Sequence, residues 1–178
     1  MKIAVVGSTP KKGKTIHLNG YQKMTRLVMY NINKIAVDHK IDDVKTGVTL
    51  VSGGAALSDH IAVDLFLEGS VRDLVLYLPC PWNEKQCEFV HNEAGRLANA
   101  LHKTFSSQIG RNSLRDIQLA IDKGCTVVVG QGFHSRNTLL ANNADAMIAF
   151  TFDKTMTPGT KHVWGECKSD TKIHLIIH

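Results

Sequence analysis

Six short runs of the chain are apolar at nearly every position: 2–7 (KIAVVG), 48–53 (VTLVSG), 73–79 (DLVLYLP), 125–130 (CTVVVG), 145–151 (DAMIAFT) and 172–178 (KIHLIIH). They are rich in β-branched residues and do not alternate apolar with polar, the pattern of parallel strands covered on both faces. Between them the apolar positions recur at three- and four-residue spacing. In 17–38 these are Tyr21, Met24, Leu27, Val28, Ile32 and Ile35; in 57–68 they are Leu57, Ile61, Leu65 and Phe66. That spacing predicts helices there, and further helices over 91–103, 112–123, 135–143 and 160–168. The stretch 80–124 carries no strand candidate and is expected to hold two helices and a connection. Strands alternating with helices predict an α/β, Rossmann-like three-layer sandwich: a mostly parallel sheet of about six strands with helices on both faces. The chain of 178 residues reads as a single domain, 1–178, without linker or repeat.

In such a sheet, ligands bind beyond the carboxyl ends of the strands. Three of those ends carry small residues: Gly7-Ser8-Thr9, Ser52-Gly53-Gly54-Ala55 and Thr157-Pro158-Gly159-Thr160. Glycine lets backbone approach a ligand, and a helix that follows presents unpaired N–H groups to an anion. Together the three loops predict a phosphate or ribose pocket.

The first of these loops continues as GSTPKKGKT, which ends like a P-loop. The consensus has four residues between its first glycine and the Gly-Lys pair. Here five intervene after Gly7 (Ser8 to Lys12), and Pro10 removes an N–H donor. The spacing argues against a working P-loop.

Composition narrows the picture modestly. Apolar residues make up 43%, and no apolar run approaches a membrane span. The first ten residues read as a strand, not a signal peptide, so a cytoplasmic protein is expected. The four cysteines form no CxxC pair and the nine histidines no HxH or HExxH arrangement, so no metal and no cofactor are expected. Cys125 is expected in the core. A net charge of +5 suits a phosphorylated ligand. The basic residues are scattered apart from Lys11, Lys12 and Lys14. Single-stranded nucleic acid and membranes are therefore not expected as partners.

Two blocks carry a resemblance. LVSGGAALSDHIAVDLFLEG (50–69) is similar to the strand-GGA-x-G-x-D-x-x-A element of the SLOG superfamily, which includes the LOG (lysine-decarboxylase-like) and DprA-like proteins. Gly53, Gly54, Ala55, Asp59 and Ala62 match, and Leu57 stands near where a further glycine is common. The segment 132–166 resembles the LOG motifs M-H-x-R-K, A-D-A and P-G-G-x-G-T-x-x-E through His134, Arg136, Ala144, Asp145, Ala146, Gly159 and Thr160. The resemblance implies a nucleotide-binding, Rossmann-like domain. Its implied phosphate and nucleotide contacts are Gly7, Ser8, Thr9, Gly53, Gly54, Ala55, His134, Arg136, Asn137, Gly159 and Thr160. It also implies hydrolysis of the N-glycosidic bond of a nucleoside 5′-monophosphate, and a homo-oligomer. The alternative is a non-catalytic nucleotide sensor or binding module.

The departures concern catalysis. The glutamate three residues after the motif threonine is Val163 here, the basic residue after the motif arginine is Asn137, and the double glycine is Pro158-Gly159. Cleaving an N-glycosidic bond develops positive charge on the sugar, which calls for a carboxylate near the anomeric carbon. Asp59 and Glu166 are the catalytic candidates; a helix N-terminal charge and a solvated helix residue are their respective structural alternatives. Trp82 and Trp164 are open to stacking on a base or to packing.

Overall fold

The structure is a computed structural model that describes residues 1–177. Its strands and helices run in the order β1 (Lys2–Gly7), α1 (Leu18–Asp38), α2 (Val44–Gly47), β2 (Thr49–Ser52), α3 (His60–Leu67), β3 (Asp73–Leu78), β4 (Trp82–Asn83), β5 (Glu88–Phe89), α4 (Glu93–Ile109), α5 (Ser113–Asp122), β6 (Thr126–Val129), α6 (Gly132–Asn142), β7 (Ala146–Thr151), α7 (Pro158–Glu166) and β8 (Lys172–Ile176). Six strands form one parallel sheet in the order β6-β3-β2-β1-β7-β8. This is the expected three-layer α/β architecture.

Period-two alternation within β1 assigns the two faces. Ile3 and Val5 pack into the larger apolar cluster with α1, α3, α4 and α5. Ala4 and Val6 face the smaller cluster beneath α6 and α7. The central strands are buried on both sides, which accounts for their unbroken apolar runs. The two edge strands differ: β6 and β8 are half-exposed, since each has a neighbour on one side only. Cys125, expected in the core, is half-buried against the larger cluster at the start of β6. The run 172–178 is shorter as a strand, and its final residue, His178, lies outside the described residues.

The stretch 80–124 holds the two expected helices, and also an unexpected antiparallel pair, β4 with β5. Each strand is two residues long, too short for an alternation to register in the sequence. Asn99 of α4 holds it: Phe89 N–H donates to Asn99 Oδ1 at 3.0 Å, and Asn99 Nδ2 donates to Phe89 C=O at 2.9 Å.

The chain winds outward from β1 to β6 and then returns to the opposite side of β1 as β7. That reversal is a topological switch point, where the loops after neighbouring strands diverge and leave a crevice.

Candidate functional site

A cavity of about 400 Å³ opens at this switch point. All three small-residue loops reach it, through Gly7, Ser8 and Thr9 after β1, Gly53, Gly54 and Ala55 after β2, and Thr157, Gly159 and Thr160 at the start of α7. Arg136 and Asn137 of α6 complete the polar wall, and Asp59 stands ahead of α3.

The glycines are there because other groups take the space of a side chain. A Cβ at Gly7 would run into the carbonyl of Phe150, where β1 and β7 close up and Ser8 N–H donates to Phe150 C=O at 2.9 Å. At Gly53 a Cβ would fall on Arg136 Nη1 and lie 2.6 Å from Asp59 Oδ2.

Asp59 ties these parts together. Its Oδ1 accepts from Gly7 N–H at 3.1 Å, and its Oδ2 accepts from Gly53 N–H at 3.1 Å and from Arg136 Nη1 at 3.4 Å. Ser52 Oγ donates to the Asp59 carbonyl at 2.8 Å and accepts from Gly54 N–H at 3.2 Å. Ser58 Oγ donates to Ser8 C=O at 2.9 Å. Asp59 and Arg136 are 4% and 6% exposed, so neither charge has much water. Burial pushes the Asp59 carboxyl up to about 6, against the opposing pull of Arg136 and the backbone N–H donors. The same burial pushes the Arg136 guanidinium down.

Two buried polar atoms of this wall have no hydrogen-bond partner: Arg136 Nε and Ser8 Oγ. Ser8 is only 3% exposed. A buried donor left unpaired costs about 1–3 kcal/mol, and such groups call for an explanation. A third polar element is the N-terminus of α7. Thr157 caps it, accepting from Thr160 N–H at 3.4 Å, and Pro158 occupies the first turn, where its missing N–H costs nothing. Apolar side chains also line the cavity: Phe89 of β5, Leu97 and Leu101 of α4, and Phe133 of α6, whose ring lies under the Arg136 guanidinium.

Two candidates from the sequence are outside the cavity. His134 is exposed and stacks on His162 of α7, with ring centroids 4.2 Å apart. Glu166 is exposed at the last residue of α7, while Val163, one turn before it, is buried in the cavity wall. The tryptophans pack: Trp82 Nε1 donates to Gln118 Oε1 at 2.7 Å with its ring edge-on to Phe89, and Lys172 Nζ lies over the Trp164 ring. GKT is no P-loop. Lys12 and Gly13 turn between a bridged Lys11 and Lys14, and α1 begins only at Leu18.

Sequence reasoning missed His102, which is fully buried on α4. Its Nε2 lies 3.0 Å from the Gly54 carbonyl, so this nitrogen carries the proton. Its Nδ1 then accepts from Ser113 Oγ at 2.9 Å. Desolvation holds this imidazole down at about 3, so it stays neutral. It fixes Gly54, whose φ of +61° needs glycine. A lone histidine in a helical stripe gives no signal of this. Behind it, His60, Asp64 and Asp116 cluster closely enough to hold a metal ion. Arg111 already fills that place, with Nη2 2.6 Å from Asp64 and Nε 2.9 Å from Asp116.

No protein-family model matches the chain. The uncharacterized protein R261 of Acanthamoeba polyphaga mimivirus is 35% identical over 176 residues, spanning 98% of this chain and 95% of the viral protein. The chain belongs to the R261 family. Solved structures are more distant. The structural-genomics target TM1055 gives a TM-score of 0.48 at 16% identity, over 93% of this chain and 67% of that one. DNA processing protein A from Helicobacter pylori gives 0.47 at 15%, over 96% and 74%. The same protein from Streptococcus pneumoniae gives 0.43 at 12%, over 97% and 57%. The Rossmann-like fold of this R261 relative stands on its own parallel sheet, with Gly53, Gly54, Ala55, Asp59, Arg136, Gly159 and Thr160 gathered at one edge of it.

One expectation is corrected. The scattered charge makes single-stranded nucleic acid an unexpected partner, yet the Helicobacter pylori protein is described by its single-stranded DNA binding mode. Strand binding can rest on a local groove and stacking surfaces, which net charge along a sequence does not report. No helix among the described residues is long and apolar enough to cross a membrane.

Proposed function

We propose that the switch-point cavity binds a nucleotide or a related phosphorylated nucleoside. The observation that carries this reading is the pair of buried, unpartnered groups, Arg136 Nε and Ser8 Oγ, on the wall that also holds the α7 N-terminus. The oxygens of a phosphate are the acceptors such donors call for, and binding one there would offset the cost of leaving them unpaired. The apolar wall of Phe89, Leu97, Leu101 and Phe133 suits the face of a base. The reading is tested by thermal unfolding in the presence of nucleoside monophosphates, with inorganic phosphate and a single-stranded oligonucleotide as separate arms. A ligand at one hundred times its dissociation constant stabilises by about 2.7 kcal/mol. Stabilisation by a monophosphate, lost in Arg136→Met, is expected. No shift with any nucleotide overturns the reading.

Hydrolysis of the N-glycosidic bond is the second reading, and Asp59 favours it. It is a cavity carboxylate whose pKa of about 6 suits proton transfer near neutral pH. Its oxygens are, however, already engaged by Gly7, Gly53 and Arg136, and Val163 stands at the motif glutamate position. This balance favours binding over catalysis. If the protein is a hydrolase, Asp59→Asn slows base release by roughly a hundredfold or more beyond any loss of affinity measured in parallel. If the wild type binds monophosphates and releases no base, the hydrolase reading falls and the binding module stands.

A further inference from the structure

The segment between β1 and α1, residues 8–17, is ten residues long. Connections of this kind usually take two to six residues, and longer ones tend to carry function. It holds the chain's one basic cluster and borders the cavity through Ser8, Thr9, Pro10 and Lys11.

Its local structure is costly in charge. Lys11 and Lys14 form an antiparallel bridge around the Lys12-Gly13 turn, with Lys14 N–H donating to Lys11 C=O at 3.0 Å. Gly13, at φ +77°, makes the turn possible. Like charges directly opposite each other destabilise such a pair. Lys14 has a counter-charge in the loop after β7, with Nζ 3.7 Å from Asp153 Oδ1. Lys11 has no carboxylate partner among the described residues.

The charges lining the cavity are Lys11, Asp59 and Arg136. Asp59 and Arg136 offset one another at 3.4 Å. Lys11 is therefore the excess positive charge of the site. It is exposed, whereas Arg136, Ser8 and Thr160 are buried. The cavity thus has a deep set of anion donors and a separate cation on the loop at its mouth.

We propose that Lys11 contacts a second anionic group, so that the cavity prefers a nucleoside diphosphate or longer polyphosphate to a monophosphate. The proposal rests on the nucleotide reading above. The inner phosphate takes Arg136, Ser8 and the α7 N-terminus, and the outer phosphates extend toward the Lys11 turn. This recognition differs from a P-loop: the lysine works from a β-turn, as a point charge, without a cradle of loop amides.

The test is calorimetric titration of wild-type protein with the mono-, di- and triphosphates of whichever of the four ribonucleosides binds best as a monophosphate. EDTA is present throughout, so that no divalent cation masks the phosphates. The expected result is di- and triphosphate binding about tenfold tighter than monophosphate. In Lys11→Ala the preference collapses to within about twofold while monophosphate affinity is kept; in Lys11→Arg it persists. Raising the salt narrows the preference, because the mouth is exposed. Equal affinity for all three in the wild type overturns the proposal and leaves the nucleotide reading intact. So does an equal loss across all three in Lys11→Ala, which makes Lys11 a contact of the inner phosphate. Failure of every nucleotide to bind overturns both.

Discussion

At the scale of single residues, the site turns on one buried ion pair. Asp59 and Arg136 lie 77 positions apart and meet at 3.4 Å, with almost no water on either. Removing one member leaves the other charge buried and unpaired, at a cost of about 3–5 kcal/mol. Arg136→Met should lower unfolding stability by about that much in urea titrations at neutral pH, and Asp59→Asn by less, because burial already favours the neutral form of the Asp59 carboxyl. The double variant should lose clearly less than the sum of the two, since no charge is stranded in it. Additive losses would show that the pair is not coupled. Both residues were legible in the sequence from their places in the motifs. The sequence did not reveal that Asp59 spends its oxygens tying the Gly7 and Gly53 turns together, because those partners come from different strands. Leu57 is instructive in the same way. It stands near where a glycine is common in the resembled motif and has a φ of +75°, a conformation that favours glycine, while its side chain is fully buried in the larger cluster. Such a conformation costs a non-glycine residue on the order of 1–3 kcal/mol, offset here by burial of the leucine side chain.

At the scale of elements, the six main strands were readable because short, largely apolar runs rich in β-branched residues have few other homes. Helix ends were less so. α6 begins at Gly132 and α7 at Pro158, each ahead of the first periodic apolar residue, since backbone conformation and capping set those starts. The cap of α7 matters to the site, because it fixes the helix N-terminus, with Gly159 and Thr160, in the cavity lining. Thr157→Ala should cost about 1 kcal/mol of stability, the usual loss for such a cap. It should also weaken monophosphate binding several-fold, because frayed N–H groups no longer converge. The two effects separate by measuring affinity well below the unfolding temperature. Unchanged affinity in a folded Thr157→Ala protein would remove α7 from the phosphate seat. The β4–β5 pair shows the converse limit. It supplies Phe89 to the apolar wall, yet its fixing contact is the side chain of Asn99 on another element.

At the scale of the whole molecule, two buried groups pull the pH dependence of stability in opposite directions. Asp59 has an ordinary pKa of 3.8 and a folded one of about 6. Between these values the folded state holds the extra proton, so this group alone makes the protein more stable as pH falls from 6 to 4. His102 goes from 6.5 to about 3 on folding. Between those values the unfolded state holds the extra proton, and this group alone makes the protein less stable as pH falls. Across pH 4–6 each contributes one proton, in opposite senses, and the two cancel. Below about pH 3.8 Asp59 is protonated in both states, and only the His102 loss continues, down to about pH 3. His102→Gln removes one side of this balance while keeping an amide N–H able to reach the Gly54 carbonyl. The stability of the variant relative to wild type should therefore improve by about 1.4 kcal/mol for each pH unit between 6 and 4. Chemical denaturation at half-unit pH steps measures it, and groups common to both proteins drop out of the difference. A pH-independent difference would mean that His102 titrates alike in the folded and unfolded chains. The buried neutral imidazole beneath the Gly54 turn would then have to be abandoned.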